Sequence, residues 1–312
     1  MNFKSKIYIA GHNGMVGSAI MRKLKALKYN NLIFANSSEL DLRNQKSVDF
    51  FFKNQKPDYV ILVAAKVGGI YANNEYPAEF IYDNLMIQTN VINSSYIHNV
   101  KKLLFLGSSC IYPKFSEQPI KENQLLKGYL EPTNKPYAVA KIAGIEMCES
   151  YRRQYSCNFI SAMPTNIYGI NDNYHELDSH VIPALIKKFT QAKFKNTPKV
   201  KVWGSGKIFR EFLHSDDLAD ACVFLLKNYN SLDTINIGSG EDIRIENLVK
   251  LICEIIDYKG NIVWDKSKPD GTPRKLLCVN KINSLGWKYK INLNKGLKSV
   301  INNYIEKHGD KL

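Results

Sequence analysis

The sequence predicts the α/β class, a doubly wound parallel sheet followed by a smaller α/β unit. Three observations predict it. Four short apolar runs in the first half of the 312 residues alternate with longer stretches of helical period, the pattern that parallel strands and crossover helices produce. A glycine-rich turn follows the first run at once. After about residue 165 the texture changes to polar loops, shorter runs and isolated helical stretches.

Taken in order, Ile7–Ala10 (IYIA), 32–35 (LIFA), 59–63 (YVILV) and 103–106 (LLFL) read as buried strands. The stretches 15–27 and 78–98 between them carry helical period; a helix over 136–155 and a strand over 158–163 continue the alternation. A polar loop over 169–179 leads to a helix near 181–193 and a short strand over 200–203. A helix near 216–227, the turn Gly238-Ser239-Gly240 and the helix Ile245–Ile256 follow. There is no internal repeat, low-complexity segment or obvious linker. The expected organisation is a nucleotide-binding domain over 1–165 and a mainly substrate-binding domain over 166–312, with segments partly interleaved.

Hydrophobic residues at 45% and charged residues at 23% fit a soluble globular chain. No window reaches the ~18 apolar residues of a membrane span. The first apolar run is four residues long, too short for a signal-peptide core, so a cytoplasmic protein is expected. Six cysteines lie scattered without a CxxC pair or His/Cys metal spacing, so free thiols and no metal site are expected. The net charge of +14 reads either as a Lys- and Asn-rich surface or as attraction for a polyanion. No basic run is interleaved with aromatics, so nucleic acid is not expected, and a nucleotide diphosphate would use the same field.

The turn Gly11-His12-Asn13-Gly14-Met15-Val16-Gly17 sits between the first strand and the first helix. Glycines at this spacing permit a tight turn and let backbone approach a pyrophosphate at the helix N-terminus, so a Rossmann-type dinucleotide site is expected. The second strand runs out through Asn36, Ser37, Ser38, Glu39, Leu40, Asp41 and Leu42. No acidic residue follows it immediately to grip both ribose hydroxyls, which favours NADP over NAD.

Tyr137 and Lys141 stand four apart, on one face of the predicted helix. There the ammonium can sit beside the phenol, lower its pKa and help it exchange a proton with a carbonyl oxygen. The order of glycine turn, a strand ending at Ser108 and Ser109, then Tyr-x-x-x-Lys about 30 residues later resembles the short-chain dehydrogenases/reductases. In that pattern the serine hydrogen-bonds the reacting oxygen. Cys110, two residues past Ser108, can then face the carbons beside the carbonyl, whose protons a thiolate can take. Epimerisation also needs an acid on the opposite face. Of six histidines, His180 stands out, at the start of a helix after the polar loop.

Longer phrases carry a sharper resemblance: GHNGMVGSAI (11–20), AAKVGGIYANNEYPAEFIYDNLMI (64–87), LFLGSSCIYPK (104–114), LEPTNKPYAVAKIAGI (130–145), MPTNIYG (163–169), SHVIPALI (179–186), VWGSG (202–206), REFLHSDDLA (210–219) and KPDGTPRKLL (268–277). With these the chain resembles, nearly end to end, the GDP-L-fucose synthase family of extended short-chain dehydrogenases/reductases. The resemblance implies NADPH-dependent 3,5-epimerisation and 4-reduction of GDP-4-keto-6-deoxy-D-mannose to GDP-L-fucose. It implies Cys110 as base and His180 as acid at C3 and C5, Tyr137 as proton donor at C4, Lys141 as its partner and ribose ligand, and Ser108 as hydrogen-bonder to O4. It places Ala64, Ala65, Pro164, Asn166 and His180 against NADP beside the glycine turn, Ser37, Asp41, Leu42 and Lys141. It implies Lys188, Trp203, Arg210, Asp270 and Lys275 for the GDP-sugar, and a homodimer joined through helices of the nucleotide-binding domain.

Three positions depart from the pattern. Asn13 and Ser37 stand where family members can carry arginine near the 2′-phosphate. Lys188 replaces an arginine on the substrate diphosphate, keeping the charge and giving up the bidentate fork. Alternatives at this point are a C4-reductase acting on a GDP-4-keto-6-deoxyheptose, a GDP-colitose-forming enzyme, and a non-catalytic dinucleotide sensor.

Overall fold

Strand and helix alternate from the first apolar run onward. The computed structural model describes residues 1–176, 178–268 and 270–309. β1 (Ile7–Ala10) leads to α1 (Met15–Ala26), β2 (Leu32–Ile33), α2 (Gln45–Gln55), β3 (Tyr59–Leu62), α3 (Ile70–Glu75), α4 (Pro77–Ile97), β4 (Lys102–Leu106), α5 (Lys135–Tyr155) and β5 (Phe159–Pro164). Then come β6 (Asn166–Tyr168), α6 (Val181–Phe194), β7 (Lys199–Trp203), β8 (Phe209–His214), α7 (Ser215–Asn228), β9 (Ile235–Ile237) and β10 (Asp242–Arg244). The chain closes with α8 (Ile245–Ile256), β11 (Asn261–Asp265), β12 (Arg274–Lys275), α9 (Asn280–Ser284) and α10 (Leu293–His308).

Six strands form one parallel sheet in the order β2-β1-β3-β4-β5-β9. β4 and β5 are buried at every residue, as a parallel sheet covered by helices on both faces requires. Ile7 is the register partner of Leu32 on one side and Tyr59 on the other, so the strand order reverses at β1. Ligands of open α/β sheets bind at the carboxyl ends of strands beside such a reversal. β1 ends there at Ala10, immediately before the glycine turn.

Local chemistry fixes the helices. The Asn44 side chain accepts the Ser47 N–H and starts α2, and Pro136 occupies the first turn of α5, where its missing N–H costs nothing. Leu248, Val249, Ile252 and Ile256 place a buried stripe along α8. That stripe joins Ile182, Leu185, Ile186 and Phe189 of α6 and Leu297, Val300 and Ile301 of α10 in a second apolar core, separate from the core around the large sheet. β8 is central to the second unit: it pairs antiparallel with β10 and parallel with β12 and β6. β7 and β11 form a two-stranded sheet.

The chain crosses between the two units. α7 packs on α1 and β9 adds the sixth strand of the large sheet, with Ala162 opposite Ile235. The strand expected over 32–35 is cut to Leu32–Ile33, because this edge strand turns away and lays Phe34 against the His12 ring, 4.7 Å between centroids. β6, β8 to β12, α2, α3, α9 and α10 lie where the sequence pattern predicts no element.

Candidate active site

The glycine turn closes on β3. Gly11 has φ +94°, and a Cβ there would come 2.8 Å from the Ala64 backbone. A Cβ on Gly17 would strike the Gly11 carbonyl at 2.0 Å, so only glycine lets α1 start this close to the turn. Gly14 differs: a Cβ there would meet only the Gly11 carbonyl, at 3.6 Å, so its backbone faces open space. Gly14 is also the N-cap of α1, with no side-chain cap and no acidic residue in the first turn. Bare N–H groups at a helix start, reached across a glycine, fit a pyrophosphate. Ala64 is held to β1 by its N–H donating to the Ala10 carbonyl at 2.8 Å.

Around the second strand's exit the Asn13 amide donates to Asn36 Oδ1 at 2.6 Å, and Ser37 is exposed. Asp41 is engaged by Arg43, which holds its carboxyl below the usual range, and Arg43 also reaches Asp83 at 3.1 Å. Arg43 was not singled out from the sequence. It lies two residues beyond Asp41, outside the glycine-turn pattern.

β4 delivers the chemical groups. The Ser108 hydroxyl oxygen accepts the Cys110 N–H at 3.2 Å and caps a single 3-10 turn, Ser109–Ile111. This turn swings the thiol to the side on which α5 begins. Tyr137 hydrogen-bonds with Ser108, but burial, reinforced by the neighbouring Cys110, pushes its phenol well above the ordinary range. Lys141 is 3% exposed and donates to the Leu106 carbonyl at 2.8 Å. Burial draws its pKa down to about 7, and its Nζ lies 5.9 Å from the centre of the Tyr137 ring. The expectation that Lys141 lowers the phenol's pKa is therefore not met: burial prevails over an ammonium that is itself weakened and committed to a carbonyl.

The second unit closes the site from across the cleft. Lys275 and Arg210 are register partners on β12 and β8. Lys275 donates to Cys110 Sγ at 3.5 Å, and Asn134, also missed in the sequence, donates to the same sulfur at 3.3 Å. Arg210 uses its guanidinium on the Phe209 and Asp270 carbonyls, and burial lowers its pKa to about 10, leaving it charged at neutral pH. The Asp270 carboxylate accepts the Ser205 N–H at 2.8 Å and so shapes the Gly204-Ser205-Gly206 turn. Trp203 is 42% exposed, with Lys188 Nζ 5.1 Å and Lys268 Nζ 5.2 Å from its ring centre. Two ammoniums beside an open indole suit a planar base joined to a diphosphate.

His180 is the N-cap of α6, and its side chain makes no cap hydrogen bond. It is exposed, yet surrounding protein lowers its pKa, as expected of a group lining a deep cleft. The segment before it is tied to the large domain by the Gly69 N–H, which donates to the Asp178 carbonyl at 2.8 Å. Among the described residues it makes no hydrogen bond or ion pair with Cys110. The Asn166 amide donates to the Glu211 carbonyl at 2.8 Å and Pro164 ends β5, so both lie at the junction of the two units. Ser108, Cys110, Tyr137 and Lys141 thus meet Arg210 and Lys275 at one place, and Lys188 and Trp203 extend it outward. Among the described residues no group of three or more His, Cys, Asp or Glu could hold a metal ion.

Residues 7–238 match the model of the NAD dependent epimerase/dehydratase family. GDP-L-fucose synthase 1 of Arabidopsis thaliana is 56% identical over 302 residues, 97% of this chain and 94% of that one. GDP-L-fucose synthase of Escherichia coli is 50% identical over 312 residues, 97% of each. Among solved structures, a GDP-mannoheptose C4 reductase from Campylobacter jejuni with NADP bound superposes with a TM-score of 0.90 at 42% identity, covering 97% of this chain and 99% of the other.

Proposed function

The chain belongs to the NAD dependent epimerase/dehydratase family, within its GDP-L-fucose synthase group, and on that premise we propose that it converts GDP-4-keto-6-deoxy-D-mannose to GDP-L-fucose with NADPH. The observation that carries this reading is a free thiol, Cys110, built into the same turn as Ser108 and set beside the reductive Tyr137 and Lys141 of α5. A plain reductase has no use for it.

The glycine turn and the start of α1 hold the cofactor's pyrophosphate, with Ser37, Asp41 and Leu42 toward the adenosine end and Ala64, Ala65, Pro164, Asn166 and Lys141 toward the other. Bound there, NADPH supplies the hydride for C4. Trp203, Lys188, Arg210 and Asp270 hold the GDP moiety, which leaves the sugar over Ser108 and Cys110. Cys110 takes the proton at C3, and later at C5, because both carbons lie beside the C4 ketone. Ser108 and Tyr137 donate hydrogen bonds to O4 as negative charge grows there. His180 returns a proton from the opposite face. When C4 is reduced, Tyr137 gives its proton to O4, and its raised pKa keeps that proton in place until then.

The protein works as a homodimer in the cytoplasm. The outer faces of α4 and α5 carry the exposed apolar residues Tyr82, Ile97, Val139 and Tyr155, which suit a second copy. Among the described residues no helix is long and apolar enough to cross a membrane.

The deciding experiment is turnover of GDP-4-keto-6-deoxymannose with NADPH in D2O, the product read by NMR. GDP-fucose deuterated at C3 and C5 is expected from the wild type. Cys110→Ser should give a C4-reduced sugar without deuterium. Wild-type epimerisation in that variant would remove Cys110 from its role. A wild-type product lacking deuterium would make the protein a C4-reductase, and turnover of a GDP-4-keto-6-deoxyheptose alone would move the substrate to the larger sugar.

A further inference from the structure

Lys275 is 9% exposed, and its ammonium points at the sulfur of Cys110, 3.5 Å away. From the turn just before α5, the Asn134 amide nitrogen reaches the same sulfur at 3.3 Å. Both groups only donate, and two donors on one sulfur satisfy an acceptor. A thiol has a proton of its own to place; a thiolate has none. We propose that Lys275 and Asn134 hold Cys110 as its thiolate, making both of them positioning residues for proton abstraction at the sugar rather than contacts to the nucleotide.

The surroundings agree. The backbone N–H of Cys110 is fixed by Ser108 Oγ, so the Cα that carries the thiol is held in place beneath its two donors. Arg210 on β8 adds a second positive charge within range of the sulfur, while Tyr137 on α5 is neutral at working pH. Lys275 is held rigidly. Its neighbour Leu276 donates to Gln118 Oε1 at 2.9 Å, and the Ile120 N–H donates to the Leu276 carbonyl at 2.7 Å. Those bonds tie β12 to the segment that follows the Cys110 turn. Asn134 Oδ1 is buried without a partner among the described residues, so its amide has one end committed to the sulfur and one free for a sugar hydroxyl. A neighbouring lysine lowers a cysteine's pKa, and only the thiolate acts as a base.

The inference rests on reading Cys110 as the base, and its test works without any sugar. The protein is alkylated with iodoacetamide between pH 5 and 9.5, and the peptide holding Cys110 is followed by mass spectrometry, which separates it from the other five thiols. The wild-type half-point is the reference for the variants. Lys275→Met should raise it by one unit or more, a tenfold loss of thiolate at pH 7, and Lys275→Arg should restore it. Asn134→Asp puts a carboxylate against the sulfur and should move it the same way. It carries the test alone if Lys275→Met loses its fold by circular dichroism. In D2O both variants should lose deuterium entry at C3 and C5 about tenfold at pH 7 and recover it at higher pH, with GDP affinity unchanged. An unmoved half-point, or weaker GDP binding with an unchanged profile, overturns the proposal and returns Lys275 to the nucleotide. A shifted half-point in a protein that does not turn over the hexose leaves the cradle standing and removes the assigned sugar.

Discussion

At the scale of single residues, environment divides the labour among groups that lie side by side. Tyr137 is pushed up and Lys141 down to about 7 by the same burial, so the phenol is a proton donor across the neutral range. Tyr137→Phe should therefore cut hydride transfer to C4 by about two to four orders of magnitude, the usual span for losing a general acid. Proton exchange at C3 and C5 should fall far less, because Ser108 still bonds O4 and Cys110 is untouched. Single-turnover NADPH oxidation against deuterium entry separates the two, and equal loss of both would contradict the division. Ser108, Tyr137 and Lys141 were legible because their spacing is local, on one strand end and one helix face. The donors to Cys110 were not: Asn134 stands three residues before Tyr137, just outside α5, and Lys275 comes from 165 positions away, so only the folded chain brings them together. The pull of Lys141 on the phenol, expected from spacing, fails because spacing does not report burial.

At the scale of elements, α4 and α5 are 21 residues each and pack along one another. Their outer faces leave Tyr82 and Val139 in water, and a groove of about 300 Å³ opens between Pro77, Ala78 and Ile81 on one helix and Pro136 and Val139 on the other. Pairing with the same face of a second copy would bury these residues in a four-helix contact with two-fold symmetry. Sedimentation equilibrium at micromolar concentration should show a dimer for the wild type. The double variant Tyr82→Asp, Val139→Asp should sediment as a monomer with an unchanged circular dichroism spectrum. A monomeric wild type excludes this contact. These two helices were readable from period alone, and so were the first five strands of the large sheet, whose apolar runs announce burial on both faces. β9 and β12 were not readable. They are three and two residues long, and they become strands only because β5 and β8 offer them register partners from far along the chain.

At the scale of the whole molecule, two buried lysines make stability rise with pH, as paired surface carboxylates do, but in the alkaline rather than the acid range. Lys141 is depressed to about 7 and Lys102, also 3% exposed, to about 8. Lys102 nonetheless joins sequence-distant parts, donating to the Leu225, Leu226 and Tyr229 carbonyls at the end of α7. In the unfolded chain both lysines keep their protons to about pH 10.4. Between pH 7 and that value the unfolded chain binds more protons than the folded one, so stability rises with pH. The opposing groups are the buried thiols. Cys253 is raised to about 11, Cys148 to about 12 and Cys222 further still, so from about pH 8 upward the unfolded chain sheds thiol protons that the folded one keeps, and above pH 9 stability falls again. The melting midpoint should therefore climb from pH 7.5 to a maximum near pH 9 and decline beyond it. Net of the thiols the climb amounts to about 1 kcal/mol, or roughly 2 °C for a chain of this size. Measured in 0.5 M salt, which screens repulsion among the exposed charges behind the +14 total, the climb should persist. Lys102→Met should flatten it by about 1 kcal/mol, the share of one lysine titrating near 8. A midpoint that is flat or falling from pH 7.5 to 9 would mean that these two ammoniums keep their protons in the folded protein, stabilised by the carbonyls they touch.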